Sequence, residues 1–214
     1  MVFFDIGKLS LSHITNYHTQ VRLSDQQKLL GFFIFISYIK EKMSTVRFIA
    51  DLHFGHENMA RHRGFASASE QDEYIVSQWN GTVHKRDITY ILGDVTMEKA
   101  HYDILERLTG RKHVVLGNHD KLAHASKLMQ HVEGVAGMVK YKGIFLTHCP
   151  VHPMEMDYRI KYNIHGHIHE KLVEQDFKLF GITMFKRVDR RYICVSCEHV
   201  NYTPKTLKEL GITR

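Results

Sequence analysis

Met43-Ser44-Thr45-Val46-Arg47-Phe48-Ile49-Ala50-Asp51-Leu52-His53 is a largely apolar run, Val46 to Ala50, that ends in a carboxylate and, two places on, an imidazole. A short apolar segment bounded by polar residues reads as a buried strand. One that carries Asp51 and His53 at its carboxyl end reads as a strand of an α/β sheet, where strand ends converge on the ligand crevice. Outward from it the pattern repeats. Apolar runs at Ile88–Leu92, Val114–Leu116, Ile144–Thr147, Ile164–Gly166 and Tyr192–Ser196 alternate with polar segments of helical period.

Helices are expected over Glu70–Asn80, with Tyr74, Ile75, Gln78 and Trp79 on helical spacing, over Lys99–Leu108 and over Lys121–Val132. A last helix of about two turns is framed by Pro204 at its first turn and Gly211 after Leu210. Strand and helix taking turns specify α/β architecture in one domain, residues 43–214. Residues 1–42 read differently: their apolar run, Leu29 to Ile39, lies between Lys28 and Lys40 without helical period. They are expected to be upstream sequence that contributes nothing to the domain. At 11 residues the run is far short of the ~20 that span a bilayer.

Composition adds one anomaly. Of 214 residues 17 are His, against 3 Cys, 3 Pro and 1 Trp, and imidazole is the commonest metal ligand and the usual proton donor near neutral pH. The net charge of +6 favours anionic partners, phosphorylated small molecules as readily as nucleic acid. Three cysteines cannot pair evenly, which points to a reducing compartment and the cytoplasm.

The chemistry sits at strand ends. The first strand runs into Asp51 and His53, the second into Gly93-Asp94, the third into Gly117-Asn118-His119-Asp120, and later ones into Thr147-His148 and His165-Gly166-His167-Ile168-His169. Two Asp, one Asn and four His, with no cysteine, suit Mn, Fe, Zn, Co or Ni better than calcium or a structural zinc. Seven donors exceed one tetrahedral ion and suit two cations sharing a carboxylate. Gly93, Gly117 and Gly166 let the backbone turn sharply beside these donors.

The ordered set D-x-H, G-D, G-N-H-D, T-H and G-H-x-H resembles the calcineurin-like metallophosphoesterases. The match is closer to their short, stand-alone bacterial and phage members, through Asp51-Leu52-His53-Phe54-Gly55-His56-Glu57-Asn58, Trp79-Asn80, Asp87 to Asp94, Leu108 to His113 and Asn201-Tyr202-Thr203-Pro204. It covers Thr45 to about Leu210. The resemblance implies a four-layer α/β/β/α sandwich and two divalent transition metal ions, manganese first among the candidates. It implies further that Asp51, His53 and His169 hold one metal, that Asn118, His148 and His167 hold the other, and that Asp94 bridges them. His119 would be the general acid, and a metal-bridging hydroxide the nucleophile. The substrate would be a phosphorylated small molecule or a nucleotide, with monoesters, cyclic nucleotides and nucleic-acid diesters all open.

Around this set, His56 and Asn58 are candidates for substrate contact or for orienting a ligand, and Arg61 and Arg63 for phosphate contact. His165 is left out of the ligands. Cys149 reads as a small buried residue near the metal, because the arginine a cysteine phosphatase needs six places later is Glu155. Cys194 and Cys197 would need further partners to hold a second zinc. The rival reading is a basic nucleic-acid-binding module with structural metal, which predicts aromatic residues interleaved with Lys and Arg on one surface.

Overall fold

The computed structural model describes residues 28–33, 44–97, 101–156 and 159–213. The chain divides into two compact units, Met1–Lys42 and Met43–Arg214. In the first, residues 28–33 are helical; the expectation about residues 1–42 otherwise falls outside the described residues.

The second unit runs β1 (Val46–Ile49), α1 (Glu57–His62), α2 (Ala68–Asn80), β2 (Ile88–Leu92), a 3-10 turn (Tyr102–Arg107), β3 (Arg111–Val115), a 3-10 turn (Leu122–His124) and α3 (Ala125–Leu128). It continues through β4 (Gly134–Ala136), β5 (Val139–Tyr141), β6 (Ile144–Leu146), a 3-10 turn (Pro153–Glu155), β7 (Tyr162–His165), β8 (Glu174–Leu179) and β9 (Ile182–Val188). β10 (Tyr192–Cys194), α4 (Cys197–Val200) and β11 (Lys205–Thr206) complete it. Mixed α/β architecture is therefore what the chain adopts.

Five strands form one sheet in the order β11-β1-β2-β3-β4, parallel except for β11 at the edge. Four form a second, β10-β7-β6-β5, parallel except for β5. Side chains of both meet in a single core: Phe48, Ile49, Ile91 and Val115 from the first, Ile144, Leu146 and Ile164 from the second. Among the described residues β8 and β9 pair only with each other, and they carry exposed apolar side chains, among them Phe177, Ile182 and Phe185.

α2 shows how local signals become packing. Ser67 caps it, its Oγ accepting from the Glu70 amide at 3.2 Å while Glu70 Oε2 accepts from Ala66 N at 2.6 Å. Gln71, Ile75, Val76 and Trp79 then share the buried face. Tyr74, expected with them, is 41% exposed and packs against the rings of Phe65 and Tyr202. The Trp79 indole donates to Thr109 O at 2.8 Å, Asn80 holds both the Arg107 carbonyl and the Thr109 amide, and Lys112 Nζ donates to Leu108 O at 2.7 Å. Trp79-Asn80 and Leu108–Lys112 thus fasten α2 to the entrance of β3. Truncating Trp79 to Ala would cost roughly 3–5 kcal/mol.

Three expected helices are corrected. Residues Tyr102–Arg107 form only a 3-10 turn. Lys121–Val132 breaks into a 3-10 turn and one α turn: Leu128 is buried in the core, but Leu122 is 78% and Met129 60% exposed, so the expected apolar face is reduced to a single residue. The C-terminal helix is replaced by β11 and a turn. Lys205 and Thr206 pair with β1, and Glu209 accepts from the Thr206 amide and hydroxyl, so the start signal yields a single turn.

Candidate metal centre

All seven expected ligands lie on loops that leave strands at their carboxyl ends. Asp51 and His53 follow β1, Asp94 follows β2 and Asn118 follows β3; His148 follows β6, and His167 and His169 follow β7. Five of them have left-handed backbone: Asp51 at φ 56°, His53 at 49°, Asp94 at 53°, His167 at 72° and His169 at 49°. That conformation is uncommon for residues with a Cβ and persists where the surroundings over-determine it. Only four other described residues that are not glycine have positive φ: Lys142, Phe180, Asn201 and Tyr202.

Two clusters result. In the first, donor atoms of Asp51, His53 and His169 lie within 4.8 Å of one another. Asp51 is fully buried, its carboxylate accepting from the His167 amide at 3.0 Å and from Ser196 Oγ. Burial pushes this carboxyl above the usual range, against the lowering effect of Ser196 and His148. The His53 ring stacks on that of His169 with centroids 5.3 Å apart. Both His53 nitrogens are buried without a hydrogen-bond partner, and desolvation pulls its pKa down to about 3. A neutral imidazole denied every partner is a costly arrangement. A bound cation would supply the missing partner.

The second cluster comprises Asn118, His148 and His167. Asn118 Oδ1 lies 2.8 Å from His148 Nε2 and 2.9 Å from His167 Nδ1, and those nitrogens are 3.2 Å apart. His148 Nδ1 is 2.9 Å from the carbonyl of Leu92, which fixes the ring so that Nε2 faces the cluster, the usual arrangement behind a ligating histidine. Asp94 lies between the clusters: its Oδ2 is 3.4 Å from His148 Nε2 and 3.7 Å from His53 Nε2. Burial would raise the Asp94 carboxyl, but His148, the His119 amide and His53 outweigh it and hold it at about 2.

The glycines give these clusters room. A Cβ on Gly93 would strike the His148 ring and come within 2.7 Å of Gly117 Cα, and one on Gly166 would come within 2.5 Å of an Asp51 carboxylate oxygen.

Several residues support the clusters in ways the sequence did not announce. Arg63, expected near phosphate, is instead a buried clamp. It donates to the carbonyls of Asp51 at 2.7 Å and Leu52 at 3.3 Å, to Gln71 at 3.1 Å and to Glu198 at 2.7 Å. Glu198 in turn lies 3.2 Å from His169 Nδ1 and, with its partners outweighing desolvation, is held at about 2. Asp120 ties two ligand loops together by accepting the amides of Asp94, Val95 and Gly117.

The remaining candidates divide. His119 is exposed beside the clusters, with its ring 5.7 Å from that of His53 and its amide donating to Asp94 Oδ1 at 3.0 Å. His56 is half-buried with its ring 5.6 Å from His53. Asn58 and Arg61 are exposed on α1. His165 is buried on β7 with Nδ1 2.8 Å from Gly166 O, outside both clusters. Cys149, expected to be buried, is exposed, whereas Cys194 and Cys197 are buried and belong to no cation-holding cluster among the described residues.

No known family profile matches the chain. An uncharacterized protein of Methanocaldococcus jannaschii, MJ1445, is 28% identical over 174 residues, 77% of this chain and 88% of that protein. The gene 66 proteins of mycobacterium phages D29 and L5 are 39% and 34% identical over 84 residues, which span 42% and 41% of their lengths. Among solved structures, a protein of unknown function from Aquifex aeolicus, AQ665, is similar with a TM-score of 0.56 and 24% identity, over 79% of this chain and 98% of that one. That similarity is one of fold.

Proposed function

We propose that the Met43–Arg214 unit is a dinuclear metal-dependent phosphoesterase of the calcineurin-like kind, and that its two sheets with their flanking helices are the four-layer α/β/β/α sandwich of that class. The observation that carries the reading is His53: a buried ring with two unpartnered nitrogens, on left-handed backbone, between the carboxylates of Asp51 and Asp94. The donors fit two borderline cations, Asp51, His53 and His169 holding one, Asn118, His148 and His167 the other, with Asp94 shared. Such a pair would supply Lewis acidity and a more acidic water at neutral pH.

The chain does the rest. Leu92, Glu198 and Arg63 fix the ligand rings and loops. His119, held by its amide while its ring reaches solvent, gives a proton to the departing alkoxide. Phosphorylated small molecules, nucleotides and strand ends remain substrates to be distinguished by experiment. Among the described residues no helix is long and apolar enough to cross a membrane.

Elemental analysis of the purified chain is expected to find up to two transition metals. With manganese added, the hydrolysis of mono- and bis-aryl phosphates separates monoesterase from diesterase. Full hydrolysis after metal stripping overturns the proposal.

A further inference from the structure

Within the second cluster lies a donor that neither the motif set nor the resemblance uses. Cys149 follows His148 directly and is exposed, and its Sγ lies within 4.8 Å of a ring nitrogen of each of His148 and His167. On one ion, with metal–sulfur and metal–nitrogen bonds of roughly 2.3 and 2.0–2.1 Å, a thiolate and an imidazole stand about 3.5 Å apart in tetrahedral geometry. The backbone at Cys149 is anchored, its carbonyl accepting from Thr147 Oγ1 at 2.7 Å, while the exposed thiol is left to turn.

We infer that Cys149 is a sulfur donor to the cation held by Asn118, His148 and His167, so that this position is a mixed N/O/S site while the Asp51–His53–His169 position is N/O only. The inference rests on the dinuclear reading and deepens it. The two positions then differ in softness. A thiolate favours zinc, iron or cobalt over manganese, so the second position selects the borderline metal and the first remains open to manganese. Binding deprotonates the thiol, whose proton passes to solvent.

The test is a cobalt(II) titration of the full chain as wild type, Cys149→Ser, Cys149→Ala and Cys194→Ser, followed by equilibrium dialysis and absorption. The wild type and Cys194→Ser are expected to bind two cobalt ions with a thiolate-to-cobalt charge-transfer band in the near ultraviolet. Cys149→Ser and Cys149→Ala are expected to bind two with the band lost. In competition dialysis the same two variants should show a weaker preference of the second position for zinc over manganese than the wild type. Two bound cobalt ions with no band in the wild type, or a band that survives both Cys149 substitutions, overturns the sulfur donor and leaves the dinuclear reading intact. Failure of the wild type to bind cobalt overturns both.

Discussion

The carboxylate of Asp120 accepts the backbone amide of Asp94 at 2.8 Å across 26 positions of sequence. The same carboxylate accepts from Gly117 N at 2.9 Å and Val95 N at 3.1 Å, so one buried side chain sets the spacing of the loops after β2 and β3. Asp120→Ala leaves three buried or half-buried amides without their acceptor. The expected loss is about 2–5 kcal/mol, read as a lower urea midpoint, with reduced metal content. A variant with the wild-type midpoint would show that the loops hold their own positions.

Arg63 yields a prediction specific to one cluster. Its guanidinium fork serves the carbonyls of Asp51 and Leu52 together with Glu198, which in turn contacts His169. Lysine cannot reproduce that fork. Arg63→Lys is expected to weaken the Asp51–His53–His169 position while leaving Asn118, His148 and His167 in place, so that metal content falls from two ions to one. Retention of both ions would reduce Arg63 to packing.

The clustered Asp, Asn and His residues were legible because each sits on a local pattern: an apolar run, then a donor at its end, often beside a glycine. The supporting set was not. Arg63 and Glu198 are 135 positions apart, and nothing in either neighbourhood announces the ion pair. β4 and β5, at three residues each, are too short to carry a period, and the exposed β8–β9 ribbon has no buried face to impose alternation. At the C-terminus the helix signals were present and real, since Thr206 and Glu209 do form the first turn. Pairing of Lys205 and Thr206 with the edge of β1 won because it completes a sheet, a contact that local propensity does not contain.

A matched pair of glycines separates backbone strain from steric contact. Gly55 (φ 74°) and Gly93 (φ 87°) are both left-handed, but a Cβ on Gly55 meets nothing within 4 Å, whereas one on Gly93 strikes the His148 ring. Gly55→Ala is expected to cost about 1–2 kcal/mol, the backbone penalty alone. Gly93→Ala should cost more than that and also lower metal content by displacing His148. Equal unfolding midpoints for the two variants would argue that the His148 ring moves aside freely.

Asp87 precedes β2, at the end of the strand opposite Asp94, and is expected to govern part of the acid limb of stability. Burial raises its carboxyl, but the amides of His84 and Thr45 and the Arg47 guanidinium outweigh it, leaving the pKa below the ordinary 3.8. A carboxyl lowered on folding adds stability that is complete above its unfolded pKa and is lost as pH falls through the folded value. Wild-type stability should therefore decline below about pH 4, and Asp87→Asn should flatten that decline while lowering stability at neutral pH. An unchanged acid limb in the variant would remove Asp87 from the account.

His119 is the one candidate whose role can be separated from metal binding. Its ring contributes to neither cluster, is 43% exposed in its side chain and keeps Nε2 3.9 Å from Asp94 Oδ2, while its amide donates to the Asp94 carboxylate. His119→Ala retains that amide, so metal content and unfolding midpoint are expected to match the wild type. A proton donor matters in proportion to the basicity of the leaving group, so turnover of alkyl phosphates should fall by about 10²–10⁴-fold and that of nitrophenyl phosphates much less. The decisive measurement is kcat across leaving groups of graded pKa. A steeper dependence in the variant identifies a general acid; a uniform loss at every leaving group would assign His119 to phosphate binding instead.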